Sequence, residues 1–311
     1  MAFFNLSPLV LGAILLATGY APIGAESINP PTTPQASSRM TAQEKRNRDF
    51  VLDYYREVIQ SRHMELASKY FGAYIQHNPN IPTGPSGIIG MFGQRPPVNP
   101  MPDKLNPSPV VSGAKGDFAW VVWEREEKDP RDPSKTYHYN FFDLFRFQNG
   151  KLEEHWDSAQ KNPSSPASRA AQTFAAPSAR LKGNRGKLSG DEKNNLDLAT
   201  VKLKQVLQDG HLELADKLID PDYLEHDPNV PQGRAGFMSQ AGRKRQEHER
   251  KKSPPILTLV NGSYVLMMWD VKAKDPTNPS TDYTYNQFDL TRIEKGLLKE
   301  HWNDMRIDPA E

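Results

Sequence analysis

The chain has 311 residues, 37% hydrophobic and 25% charged, which is enough for two cores of roughly 100 to 150 residues each. Its 39 Lys and Arg against 38 Asp and Glu leave a net charge of +1, so no overall field draws it to nucleic acid or to an anionic membrane. It has no cysteine, which removes disulfides, thiolate nucleophiles and cysteine-ligated zinc together.

The apolar run 9–17, within the longer stretch 3–23, is punctuated by Pro8, Gly12 and Gly19. It is too short for a spanning helix and reads as an export signal over 1–25, cleaved after Ala25, with the mature protein secreted or periplasmic and not inserted in a membrane. Residues 26–40 are low-complexity and read as disordered. From Asn47, Phe50, Val51, Tyr54, Tyr55, Val58 and Ile59 fall at helical spacing, and Leu196, Leu198, Ala199, Val201, Leu203, Val206 and Leu207 repeat the stripe. A second short helix follows in each half, at 63–69 and 211–217, and then a Pro- and Gly-rich turn at 74–84 and 223–233.

Residues 128–157 align with 274–303 at a constant offset of 146, with 17 of 30 positions identical. A gapless match of that length marks a duplicated domain, 41–160 and 191–311. Each copy offers three strands, 118–123, 137–147 and 152–157, with counterparts at 264–269, 283–293 and 298–303. Asn149-Gly150 and Lys295-Gly296 make the last hairpin turns. Helices followed by a strand meander predict an α+β fold, two tandem domains each with N-terminal helices and an antiparallel sheet. Residues 161–190 read as a linker about 30 Å in span, and the charge run 243–252, lacking interleaved aromatics, as a solvated helix face and not a nucleic-acid site.

Strand alternation sorts the polar residues. Tyr137, Tyr139, Phe141, Asp143 and Phe145 share one side, as do Tyr283, Tyr285, Gln287, Asp289 and Thr291. A mid-strand carboxylate among aromatics is either a general base with a raised pKa or a structural group bonded to a neighbour such as Arg146 or a histidine. On the last strand Leu152, Glu154 and Trp156 alternate with Glu153, His155 and Asp157, and which face meets a pocket stays open. His77 and His226 each precede the Asn-Pro or Asp-Pro of the turn. No H-x-H, H-E-x-x-H, phosphate loop or G-x-S-x-G elbow is present, so no metal or cofactor is expected.

The runs Tyr-Ile-Gln-His-Asn-Pro-x-x-Pro-x-Gly (74–84) and Phe-Asp-Leu-Phe-Arg-Phe-x-x-Gly-Lys-Leu-x-Glu-His-Trp-Asp (142–157) resemble SnoaL-like proteins, the polyketide cyclases and aldol-condensation enzymes of the nuclear transport factor 2-like superfamily. The second copy carries the same marks at 223–233 and 288–303. The resemblance implies cone-shaped domains, each a curved sheet wrapped by the N-terminal helices around an apolar pocket, with a strand Asp as acid/base. That role falls on Asp143 and Asp289, with His77 and His226 as pocket partners. Where such proteins often place histidine on an early strand, this chain has Trp123 and Trp269.

Two readings follow. One is an exported enzyme that moves a proton next to a carbonyl in a small apolar molecule, in an isomerase, cyclase or aldol-type lyase reaction. Its pocket would be lined by Tyr137, Tyr139, Asn140, Glu154, His155, Trp156 and Trp123, and in the second copy by Tyr283, Tyr285, Asn286, Glu300, His301, Trp302 and Trp269. The other is a non-catalytic binding or association module. In both, the copies pack sheet against sheet as an intramolecular pseudo-dimer.

Overall fold

The computed structural model describes residues 40–165, 181, 183–243 and 253–307. The expected export signal, nearly all of the low-complexity segment, the middle of the linker and most of the charge run lie outside the described residues.

Each half begins with a capped helix. Thr41 caps α1 (Ala42–Tyr54), its hydroxyl accepting from the Glu44 N–H while the Glu44 carboxylate accepts from the Thr41 N–H. Ser189 and Glu192 repeat this box on α4 (Gly190–Val201), satisfying two orphan N–H groups at each start. The same glutamates also tie the helix to the sheet, because Gly116 N–H donates to Glu44 and Gly262 N–H to Glu192. Both glycines hold positive φ, 59° and 58°, in the tight turn between two strands, where a side chain would be strained.

The helices run on as π-helical turns, Tyr55–Gln60 and Lys202–Gln208, with bonds such as Ser61 N–H to Arg56 O and Asp209 N–H to Lys204 O. Short helices follow, 3₁₀ Met64–Leu66 into α2 (Ala67–Tyr70) and 3₁₀ Leu212–Leu214 into α5 (Ala215–Leu218). Beyond them come β1 (Phe71–Gln76) and α3 (Pro85–Phe92) in the first half, and β6 (Ile219–Glu225) and α6 (Gly233–Arg243) in the second.

The sheets are completed by β2 (Val111–Lys115), β3 (Phe118–Asp129), β4 (Asp132–Gln148) and β5 (Lys151–Asp157), and by β7 (Leu257–Asn261), β8 (Tyr264–Asp275), β9 (Asn278–Glu294) and β10 (Leu297–Asn303). Their strand orders correspond: β1-β5-β4-β3-β2 and β6-β10-β9-β8-β7. The fold is α+β, as the sequence predicts, but with five strands per sheet rather than three. The sheets are mixed rather than antiparallel, because β1 runs parallel to β5 and β6 to β10. Part of what reads as a turn from residue 74 is thus the end of an edge strand.

The last hairpins behave as their sequence suggests. Asn149 and Gly150, like Lys295 and Gly296, hold positive φ at both positions, the turn whose twist suits adjoining strands. The next step departs from simple alternation. Arg146 pairs with Glu154 but Phe147 with Leu152, so Glu153 is an extra residue in β5, and Lys299 is its counterpart in β10. The bulge moves Leu152 onto the helix-covered face with Phe145 and Phe147, while Trp156 points to the opposite face. The expected grouping of Leu152 with Glu154 and Trp156 fails for that reason.

The opposite faces of the two sheets meet. One buried cluster draws Phe118, Trp120, Phe142, Leu144 and Trp156 from the first half and Leu257, Leu266, Met268, Phe288 and Trp302 from the second. Phe142 stacks on Phe288, its own equivalent at offset 146, with centroids 5.3 Å apart and rings 2° from parallel. A residue meeting its own counterpart is the mark of an isologous contact. The segments after the last strands cross over: Lys161 N–H donates to the Tyr283 hydroxyl and its ammonium meets Asp275, while Ile307 and Arg306 engage Tyr137 and Glu127.

Candidate functional site

The helix-covered face of the first half gathers the titratable groups. Asp143 lies mid-β4, opposite Val121 on one side and Asp157 on the other. Its bonding partners are diagonal neighbours on the same face. Trp123 Nε1–H donates to one carboxylate oxygen at 2.8 Å, and His155 Nε2 lies 2.9 Å from the other. The Tyr55 hydroxyl also bonds Asp143, and it is carried there by the π-helical turn, an irregularity that often marks a functional position. Around this group pack Tyr54, Tyr74 and Phe145, with Phe145 stacked 4.4 Å from His155. Asp143 is 4% exposed.

Burial pushes the phenols of Tyr54, Tyr55 and Tyr74 well above their ordinary range, with the Asp143 carboxylate adding to it. They stay neutral and able to donate. Burial also pushes Asp157 up to about 6, with His155 opposing the shift and Asp143 adding to it. The Asp157 carboxylate accepts from Asn78 Nδ2 at 2.6 Å and from the Ala159 N–H. One potential ligand atom from each of Asp143, His155 and Asp157 lies within 4.8 Å of the other two. That compactness would admit a small cation, but both His155 ring nitrogens are already engaged, one by the Gln76 oxygen and one by Asp143.

The second half builds the same frame with different chemistry. His301 Nε2 lies 2.6 Å from Asp289 and its Nδ1 2.8 Å from Glu225, where the first half has Gln76. Lys202 occupies the place of Tyr54, buried and within 3.4 Å of Thr291 Oγ1. Burial opposes the charge on His301 and so does Lys202, but Glu225 and Asp289 outweigh them and raise its pKa. Trp269 does not repeat Trp123, since its Nε1–H donates to the Ser253 carbonyl instead.

Several expected site residues lie elsewhere. His77 does not face Asp143. Its Nε2 bonds Glu154 at 2.8 Å, Arg146 holds the other Glu154 oxygen at 2.8 Å, and the imidazole stacks on Trp156. His226, Glu300, Arg292 and Trp302 repeat that clamp. Burial opposes the charge on Glu154 and Glu300, but the histidine and arginine hold both carboxyls below the usual range.

Asn140 donates to the carbonyls of His226 and Asn303 across the contact between halves, while Asn286 donates to Asp270. Tyr137 and Tyr283 are engaged by the crossing segments, Tyr139 bonds Glu127, and the Tyr285 hydroxyl accepts from Gln287. The expected pocket set is therefore split between two faces of each sheet, with Asp143, His155 and Trp123 together on one. Gln76, Tyr54, Tyr55 and Asp157 join them there without having been singled out.

No family model and no curated protein sequence matches the chain. Solved structures do match, each over somewhat more than a third of the chain. TsrD from Streptomyces laurentii is 18% identical over 38% of this chain and 91% of its own, with a TM-score of 0.26. A protein from Jannaschia sp. CCS1 assigned as a SnoaL-like polyketide cyclase is 12% identical over 38% and 88%, with a TM-score of 0.28. Bal32a from a soil-derived mobile gene cassette is 14% identical over 37% and 90%, with a TM-score of 0.29. Among the described residues no helix is long and apolar enough to cross a membrane.

Proposed function

We propose that the first half takes a small apolar carbonyl compound and moves a proton at the carbon next to its carbonyl, as an isomerase, cyclase or aldol-type lyase does. The observation that carries this reading is the buried Asp143–His155 pair, 2.9 Å apart within an aromatic shell that includes neutral Tyr55. In such surroundings the pair takes a proton from carbon and returns it, while a neutral phenol donates to the oxygen that gains charge. Deuterium uptake at the α-carbon of a ketone panel in D2O measures this directly. Wild type accelerates uptake, and Asp143→Asn, which keeps the shape but cannot accept a proton, abolishes it while the protein stays folded and still binds the ketone.

A second reading has its own support, since both Asp143 oxygens are already bonded within the protein. In that reading the group is structural and the molecule is a binding or association module. Asp143→Asn then lowers the melting temperature, and no ketone is bound or exchanged by any version. We also propose that the mature protein is exported and begins near Glu26. Intact mass of the exported protein checks this, and a retained Met1 refutes it.

A further inference from the structure

We propose that Gln76 is a positioning residue that leaves the Asp143–His155 pair one exchangeable proton, and that Glu225, its counterpart, locks His301 as a fixed imidazolium. Acid–base chemistry then belongs to the first half and not the second. This rests on the function proposed above, but its physical content is separable from any reaction.

The inference starts from which atoms are obliged to donate. The Gln76 Oε1 accepts the backbone N–H of Asn78 at 2.9 Å, and this identifies the oxygen end of the amide. His155 Nδ1, 2.8 Å from the same oxygen, must therefore carry a hydrogen. Its Nε2 faces a carboxylate oxygen of Asp143, so a single further proton lies between them, on the imidazole or on the acid. Gln76 fixes one end of the ring without supplying charge. That leaves the proton at the other end free to leave and return.

In the second half the oxygen facing His301 Nδ1 is a carboxylate. Glu225 Oε1 is itself fixed by the N–H groups of His226 and Asp227 at 3.0 Å each. His301 thus lies between two carboxylates, each holding one ring N–H. Removing either proton leaves a buried carboxylate facing a lone pair.

The other ionisable groups at each ring do not undo this contrast. Around His155 stand Asp143 from β4, Asp157 from β5, Tyr74 from β1 and the phenols of Tyr54 and Tyr55 from the helix. Around His301 stand Asp289 from β9, Glu225 and the neutral phenol of Tyr223 from β6, and Lys202 from the π-helical turn after α4, which offsets part of the added negative charge. Gln76→Glu and Tyr54→Lys thus describe, between two halves of one chain, a compensated change of charge.

The test is an imidazole nitrogen NMR titration of the full chain, wild type against Glu225→Gln and Gln76→Glu. Glu225→Gln should let His301 lose its second ring proton about one pH unit lower, roughly a tenfold loss of proton affinity. Gln76→Glu should make His155 hold its second proton about one unit higher, and it should suppress α-deuteration at neutral pH. Glu225→Gln removes a buried charge and recreates bonds seen in the first half, so it reads the proposal even where Gln76→Glu does not fold. Histidine titrations that neither swap displaces would overturn the inference. Displaced titrations with no ketone exchanged by any version would leave it standing and remove the proposed reaction.

Discussion

The Glu154 clamp of the first half and the Glu300 clamp of the second keep the same histidine, arginine and tryptophan partners, with bond lengths that differ by no more than 0.1 Å. Twelve residues up the sequence from His155 and His301, the groups around Asp143 and Asp289 have diverged, with Gln76 against Glu225, Tyr54 against Lys202 and Asp157 against Asn303. The clamp lies on the face where the halves meet, and the divergent group lies on the face each half keeps to itself. The clamp is thus alike where the two sheets pack, and the groups on the helix-covered faces differ. Constancy here goes with the contact between halves, and divergence with the chemistry of each helix-covered face.

The contact itself is not fully symmetric, and this supplies the largest expected effect. Lys115 at the end of β2 reaches into the second half and pairs with Glu192 at 2.7 Å, both side chains buried. Asn261, at the same place in β7, has no hydrogen-bond partner for either end of its amide among the described residues. Lys115→Met should cost about 3 to 5 kcal/mol by leaving Glu192 buried and unpaired. Burial opposes the charge on Glu192, but Lys115 and the N–H groups of Ser189 and Gly262 hold its pKa below 4.5. A depressed carboxyl contributes stability above its unfolded pKa and loses it as pH falls through the folded value. Chemical denaturation should therefore show the gap between Lys115→Met and wild type narrowing below about pH 4.5.

A smaller effect sharpens the comparison of the sites. Asn78 donates to Asp157 in the first half, whereas Asn303 donates to Asp227 in the second, so amide and carboxylate have changed places. The Asn78 oxygen is occupied by the Asn80 N–H, so the amide cannot turn over. Asp157→Asn alone should set donor against donor and cost about 1 to 3 kcal/mol. Adding Asn78→Asp should restore most of that loss in thermal unfolding, because the double variant reproduces the second half's bonding. Additive losses would mean that the two positions are not coupled as their geometry implies.

The smallest effect concerns Asn261 alone. Replacing it with Leu should raise stability by about 1 kcal/mol, since an unsatisfied buried amide gives way to apolar contact. A fall in melting temperature would show that the amide has a partner after all.

The likeness of the two halves, the fold class and the three central strands are legible in the sequence because aromatic and branched residues alternate there over long runs. The edge strands are not. β1 carries Gly72 and a left-handed Tyr74 at φ 52°, and β2 is five residues with Gly113 at its centre, a position where Trp120 leaves no room for a Cβ. Neither gives a strong periodic signal. Of the cluster around Asp143, the sequence offers Asp143, His155 and Trp123. The sequence cannot place His77 against Glu154 and Trp156, because a residue in a turn has no face to read. Leu152 was misdirected because the bulge at Glu153 resets the alternation. Gln76 and Asp157 read in the sequence as ordinary polar residues, although the two halves hold a signal for them. Set side by side, the two copies show Asn78 with Asp157 exchanged for Asp227 with Asn303, and Gln76 with Tyr54 for Glu225 with Lys202. Such paired substitutions between positions far apart in sequence point to contact.

The most direct test of the division between halves compares Asp143→Asn with Asp289→Asn in α-deuteration of the ketone that wild type handles best. The account predicts that Asp143→Asn loses exchange and that Asp289→Asn retains it at the wild-type rate. Exchange that survives in Asp143→Asn, or disappears equally in Asp289→Asn, would contradict it.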